Sequence, residues 1–237
     1  MVSSRGEGKI GPKSRKEVYL GMGLALLGAL LWGLSGTCVQ FLENQQHVNM
    51  EWLVTVRLFV AGCINVVWVI VRHHVSDLTK IFFQPRDLGK FIIFSLLGVS
   101  LCQYTYFRAI AVAGVGLATV IQYTAPTLII IYLFLRYRKI PNQAEVLAVV
   151  LAFIGTLCIV FQGQPDLASL NGPVLFWGLI SAASIGVYTL QPVSLLAKYG
   201  TGPVLGLAMV LGGLVAKLVW FDAPSNMIWD AWTWAAL

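Results

Sequence analysis

Residues 101–141, LCQYTYFRAIAVAGVGLATVIQYTAPTLIIIYLFLRYRKIP, decide how the chain is read. One apolar segment ends here, a short Ala/Gly/Val connection follows, and a second apolar segment runs over Leu117–Leu135 until Arg136, Arg138 and Lys139 stop it. A helix that long, at about 1.5 Å per residue, covers a hydrocarbon core of roughly 30 Å. Yet Thr119, Gln122, Tyr123 and Thr124, followed by Pro126, sit inside the segment rather than at its ends. Hydrocarbon penalises such groups unless they find partners or line a cavity. That conflict is the first pointer to function.

Outward from this stretch the same composition continues. Of 237 residues, 58% are hydrophobic and 11% charged, against roughly 45–50% and about 25% in soluble domains. Seven spans are expected, over Val18–Leu42, Trp52–Val71, Leu88–Phe107, Leu117–Leu135, Ala144–Phe161, Gly172–Gln191 and Pro203–Phe221. The fold class is therefore an all-α polytopic membrane bundle. The first run is too long for the apolar core of a signal peptide. Residues 228–237, IWDAWTWAAL, resemble the opening of an eighth span; ten residues are too few to cross, so the sequence is expected to continue.

Charge sets the orientation. With residues 1–17 taken as a basic cytoplasmic tail, thirteen of the sixteen Lys and Arg residues fall on the inside. Arg108 and Lys217 fall at the outer edge and Arg57 lies within the second span. The positive-inside rule then places the N-terminus in the cytoplasm. This distribution also accounts for the sequence pI of about 9.3 without nucleic acid. Cys38, Cys63, Cys102 and Cys158 have no CxxC spacing and read as small buried hydrophobes.

Several polar and aromatic side chains are candidates for a solute pocket. In the sixth span Ser181, Ser184, Tyr188 and Gln191 share one helix face. In the fourth, Thr119, Gln122 or Tyr123, and Pro126 share another, with Pro126 also a candidate hinge. Gln103 and Tyr104 in the third span, and Trp32 and Ser35 in the first, complete the set. Aromatic walls would supply area, and amides and hydroxyls would orient the ligand. The competing reading is helix–helix glue, which Ser and Thr commonly provide in membranes. Arg57 reads as snorkelling to the outer interface, as a structural pair, or as an anion site.

Trp32-Gly33 with Ser35, Arg57 after a Trp-Leu opening, and Tyr106-Phe107 with Ala109 together resemble the EamA-type transporters of the drug/metabolite transporter superfamily. The small-residue run Ala113–Ala118, Pro126, Gly155, and Gly172 followed by Trp177 extend the resemblance over residues 18–237. It implies ten spans in two inverted five-helix repeats around a central cavity, moving small metabolites by alternating access. The first repeat would occupy 18–161, and 172–237 would hold an incomplete second one. The small residues along Gly28–Thr37 and Gly178–Tyr188 fit such a repeat. Two departures stand out: Arg136-Tyr137-Arg138-Lys139 replaces an acidic residue common after the fourth span, and the last spans, on which the family's cavity draws, are absent.

No GxSxG, HExxH or Walker lysine is present, and no carboxylate pair lies inside a span. The chain reads as a non-enzyme without a cofactor. Its expected partners are the lipid bilayer and a small-molecule substrate such as an amino acid or amine; a homodimer stays open. The alternatives are a non-transport membrane subunit, an assembly factor or an inactive fragment.

Overall fold

The computed structural model describes residues 15–46, 48–72, 79–138, 140–161 and 171–220. Residues 1–14 and 221–237, which include most of the basic tail and the start of the expected eighth span, lie outside the described residues. Within them every regular element is helical. The helices are α1 (Arg15–Gln46), α2 (Met50–Arg72), α3 (Pro85–Ile93), α4 (Leu101–Gln122), α5 (Ala125–Tyr137), α6 (Gln143–Phe161), α7 (Gly172–Leu190), α8 (Val193–Tyr199) and α9 (Thr201–Trp220). A 3-10 turn precedes α3, and a π-helical segment, Phe94–Ser100, joins α3 to α4. Five continuous stretches are long and apolar enough to cross a membrane: Val18–Leu42, Met50–Arg72, Pro85–Tyr137, Gly172–Leu190 and Thr201–Leu218. The expected fifth span lies in α6, of which Gln143–Gly155 forms a shorter apolar helix.

Local chemistry starts these helices. Asn49 caps α2, its Oδ1 accepting from the Glu51 and Trp52 amides at 2.8 and 3.3 Å. Asn171 does the same for α7 through Val174 N, 3.1 Å away. Asn142 and Glu145 form a reciprocal capping box at α6. Each cap satisfies amides that hydrocarbon would leave unpaired.

The 53-residue stretch Pro85–Tyr137 would be roughly 80 Å long if straight, more than twice a bilayer core. It reverses at Gly114, whose φ of 74° and ψ of 163° lie outside the helical region. The reversal brings the Tyr106 hydroxyl to 3.0 Å from Thr119 Oγ1, thirteen residues on. From the sequence, the third span is expected to end at Phe107 and the fourth to open at Leu117. The helix instead runs on to Gly114, where the Gln40 side chain from α1 accepts from the next amide (Val115 N to Gln40 Oε1, 3.1 Å). A second break, at Tyr123 and Thr124, separates α4 from α5, and Pro126 stands in the first turn of α5. The proline ring there removes an amide that the helix start leaves without a partner in any case.

Packing is densest between α2 and α9 and between α4 and α7. At Gly62 and Gly213 the backbones of α2 and α9 come close enough that a Cβ would collide with the facing helix, and at Gly206 a Cβ would press on the Asn65 and Val66 side chains. The core gathers Leu53 and Leu58 of α2, Phe94 of the π segment, Phe107 of α4 and Ala208 of α9. In the π segment, Ser95 Oγ donates to the Ala208 carbonyl at 2.7 Å and Ser100 Oγ to the Ser95 carbonyl at 2.9 Å. These bonds give partners to a segment whose hydrogen-bond ladder is widened. Helix α1 is buried mainly near its C-terminal end, at Gly36, Val39 and Leu42, while Leu20, Leu24 and Leu30 are exposed.

Polar clusters mark the two ends of the bundle. At one end Glu51 of α2 meets Arg108 (3.6 Å) and the Tyr104 hydroxyl (3.4 Å), and Arg108 lies over the Trp177 ring of α7. At the other end Lys198 and Tyr199 of α8 both donate to Asp87 Oδ2 at the start of α3, at 2.6 and 2.7 Å. Lys198 also donates to Gln84. This second cluster ties the front of α3 to the α7–α9 part of the chain.

Candidate functional site

A cavity of about 260 Å³ opens between α1, α2 and α4. Gly28, Leu31, Trp32 and Ser35 of α1, Arg57 of α2, and Gln103, Tyr106 and Phe107 of α4 line it. Gly28, Trp32 and Ser35 are three or four residues apart, so α1 turns one face to the space. Trp32 and Tyr106 face each other with ring centroids 6.3 Å apart. The Tyr106 hydroxyl is held from behind by Thr119, whose Oγ1 also donates to the Val115 carbonyl at 2.6 Å.

Arg57 supplies the charge. Its Nη2 donates to Ser35 Oγ at 2.5 Å, and its guanidinium carbon stands 5.2 Å from the centre of the Phe107 ring. The guanidinium is thus turned across the bundle to α1 and α4 instead of extending toward the Glu51 end of its own helix. Neither described partner carries a charge. A planar guanidinium over an aromatic face, with further N–H donors in its fork, is suited to hold an anionic or strongly polar group.

The residues singled out in the sequence fall into separate places. Trp32, Ser35 and Gln103 come together in the cavity wall, and Thr119 stands behind Tyr106. Gln122 and Ser181 are buried at the contact of α4 and α7, where Gln122 Nε2 donates to Ser181 Oγ at 2.8 Å. Ser184 is buried one turn further along α7. Tyr104 belongs to the Glu51–Arg108 cluster, 5.7 Å from the Trp177 ring. The ring of Tyr188 rests 5.6 Å from that of Phe94, and Tyr123 is largely exposed at the break before α5. Pro126 is exposed at the same break. Five lining residues, Gly28, Leu31, Arg57, Tyr106 and Phe107, lie outside the pocket candidates that the sequence offers. The lone charge inside an apolar span was the signal available for Arg57. Among the described residues no group of three or more His, Cys, Asp or Glu side chains is placed to hold a metal ion.

The model of the EamA-like transporter family matches residues 19–161, which contain all three walls of the cavity. The chain belongs to the EamA-like transporter family. It is 35% identical over 195 residues to an uncharacterized inner membrane transporter, YicL, of Salmonella typhimurium, a match covering 82% of this chain and 64% of that protein. It is 23% identical over 188 residues to an uncharacterized transporter of Archaeoglobus fulgidus, covering 79% of this chain and 63% of the relative. The chain therefore spans somewhat under two thirds of the length of these curated relatives. No solved structure matches it. Membership in a transporter family, with repeated apolar helices, makes it a multi-pass membrane protein. Nothing in the family match points to catalysis.

Proposed function

We propose that this EamA-like protein is part of a secondary transporter that moves a small metabolite by alternating access, with the cavity between α1, α2 and α4 as its substrate site. The observation that carries the reading is the Arg57–Ser35 pair at 2.5 Å in the cavity wall. Arg57 lies seven residues, about 10 Å, into α2, and a cation inside an apolar span is retained at a cost in hydrocarbon unless a partner or a water-accessible space receives it. The volume of about 260 Å³ suits a metabolite better than a drug-sized ligand, whose pockets run to roughly 300–1,000 Å³. The breaks at Gly114 and at Tyr123–Thr124 give the helices flanking the cavity points about which to move. The distribution of basic residues supports an N-terminus inside, and the name of the Salmonella relative, an inner membrane transporter, supports a plasma-membrane location. The repeat arrangement proposed is 18–161 followed by a second, inverted unit from 172.

The test is flux. Full-length protein in proteoliposomes should take up a substrate from a panel of amino acids, organic acids, amines and sugar derivatives with saturable kinetics, and Trp32→Ala should raise the half-saturating concentration at least fivefold. Absence of saturable uptake across that panel would refute the transport reading. For Gln122 and Ser181 a second reading is favoured, because their mutual buried hydrogen bond is what interhelical packing requires.

A further inference from the structure

The cavity also carries information about the charge of its occupant. Its eight lining residues include one cation, Arg57, and no Asp or Glu. The ion pairs Arg108 with Glu51 and Lys198 with Asp87 lie at the two ends of the bundle, and neither involves Arg57. The described partners of Arg57 are a hydroxyl and an aromatic ring, both neutral. One of its five N–H donors is engaged by Ser35.

We propose that the cavity takes a compact monocarboxylate with a flat apolar body, docked through its carboxylate on Arg57. This rests on the transporter reading of the same cavity. The guanidinium fork matches a carboxylate with two parallel hydrogen bonds. Ser35 accepts from Arg57 and so has its own hydroxyl proton to donate to the same carboxylate. Trp32, Tyr106 and Phe107 supply flat apolar area for the body, and Gln103 is the polar side chain that remains to read a further group. One fixed positive charge neutralises one negative charge. A doubly charged phosphate would leave one negative charge without a partner, and an amine would meet Arg57 with like charge and no carboxylate in the lining to receive it. The wall therefore selects by sign and by number of charges.

The experiment compares three probes of one shape: 3-phenylpropionate, 3-phenylpropionamide and 3-phenylpropylamine. Binding to full-length protein in detergent is read by microscale thermophoresis. In the same protein, with its native cysteines replaced, Ser35→Cys is tested for labelling by a water-soluble methanethiosulfonate. The expected result is labelling of the cysteine and a Kd for the carboxylate at least tenfold below that of the amide, with the amine weakest. Arg57→Gln should bring carboxylate and amide within twofold of each other, while Arg57→Lys should keep part of the preference. A size-exclusion profile matching the wild type certifies that each variant is folded. If the cysteine labels but the probes bind equally, the amine binds best, none binds, or folded Arg57→Gln keeps the preference, the carboxylate inference is overturned and the cavity reading survives. If the cysteine does not label from either side, the cavity reading falls and takes the inference with it.

Discussion

Gly62→Ala should loosen the pairing of α2 with α9. A Cβ at residue 62 would lie 2.6 Å from the Val210 amide nitrogen, 2.9 Å from Val210 Cγ2 and 3.0 Å from the Met209 carbonyl carbon. Favourable carbon contacts begin near 3.5 Å, so α9 has to retreat by about 1 Å. The nearest atom is backbone, and no side-chain rotation relieves it. A gap of about that size forfeits a quarter to a half of each contact's attraction along the interface. Overpacked cores lose about 1–3 kcal/mol, and the helix preference of Ala over Gly returns about 0.5–1 kcal/mol. The net loss is about 0.5–2 kcal/mol. At about 2–4 °C per kcal/mol for a chain of this size, Tm should fall by about 1–8 °C. Thermal unfolding of the detergent-solubilised protein, followed by tryptophan fluorescence, reads this directly. Gly213→Ala, whose Cβ would stand 2.8 Å from the Phe59 amide nitrogen, should act alike. The double variant should lose less than both single losses together, because one retreat relieves both collisions. Gly21→Ala, with nothing within 4 Å, is the control and should leave Tm unchanged or slightly raised. A Gly62→Ala protein as stable as the Gly21→Ala control would refute the close-approach reasoning.

Three further outcomes can be checked. Gly114→Ala should destabilise by about 1–3 kcal/mol, since its φ of 74° with ψ of 163° is strained for a residue with a Cβ; Gln40→Leu should lose about 1–2 kcal/mol by orphaning the Val115 amide, and chemical denaturation would measure both. Ser181→Ala should cost about 0.6 kcal/mol, and adding Gln122→Leu should recover part of it by removing the unpaired amide; a strictly additive double-mutant cycle would deny the hydrogen bond an energetic role. Asp87, and then Tyr199, raise the Lys198 ammonium above the ordinary lysine value by hydrogen bonding to it. A raised pKa in the folded state means that the contribution is complete below the ordinary lysine pKa and is lost as pH rises through the folded value. Tm should therefore decline in the alkaline range more steeply in the wild type than in Asp87→Asn, and parallel curves would contradict the contact.

Composition alone was enough for the class of the molecule. The apolar stretches, the basic flanks and the caps at Asn49 and Asn171 act within a helix or between a helix and its solvent, so their reasons are local. The same holds for the polar conflict at Gln122, visible as a group hydrocarbon would reject. What resolves that conflict is not local. Gln122 meets Ser181, fifty-nine residues away, and which faces of α4 and α7 meet depends on the Gly178 contact with Ile121 and not on the periodicity of either helix. The turn at Gly114 likewise depends on Gln40 arriving from α1 to receive an amide. Arg57 could be read along its own helix as a snorkelling side chain, because nothing in α2 reveals a hydroxyl on α1 and a ring on α4 within reach. Hydrophobicity places each helix in the membrane, but the rotation of each helix about its axis, and with it the membership of the cavity, follows from packing between residues far apart in the chain.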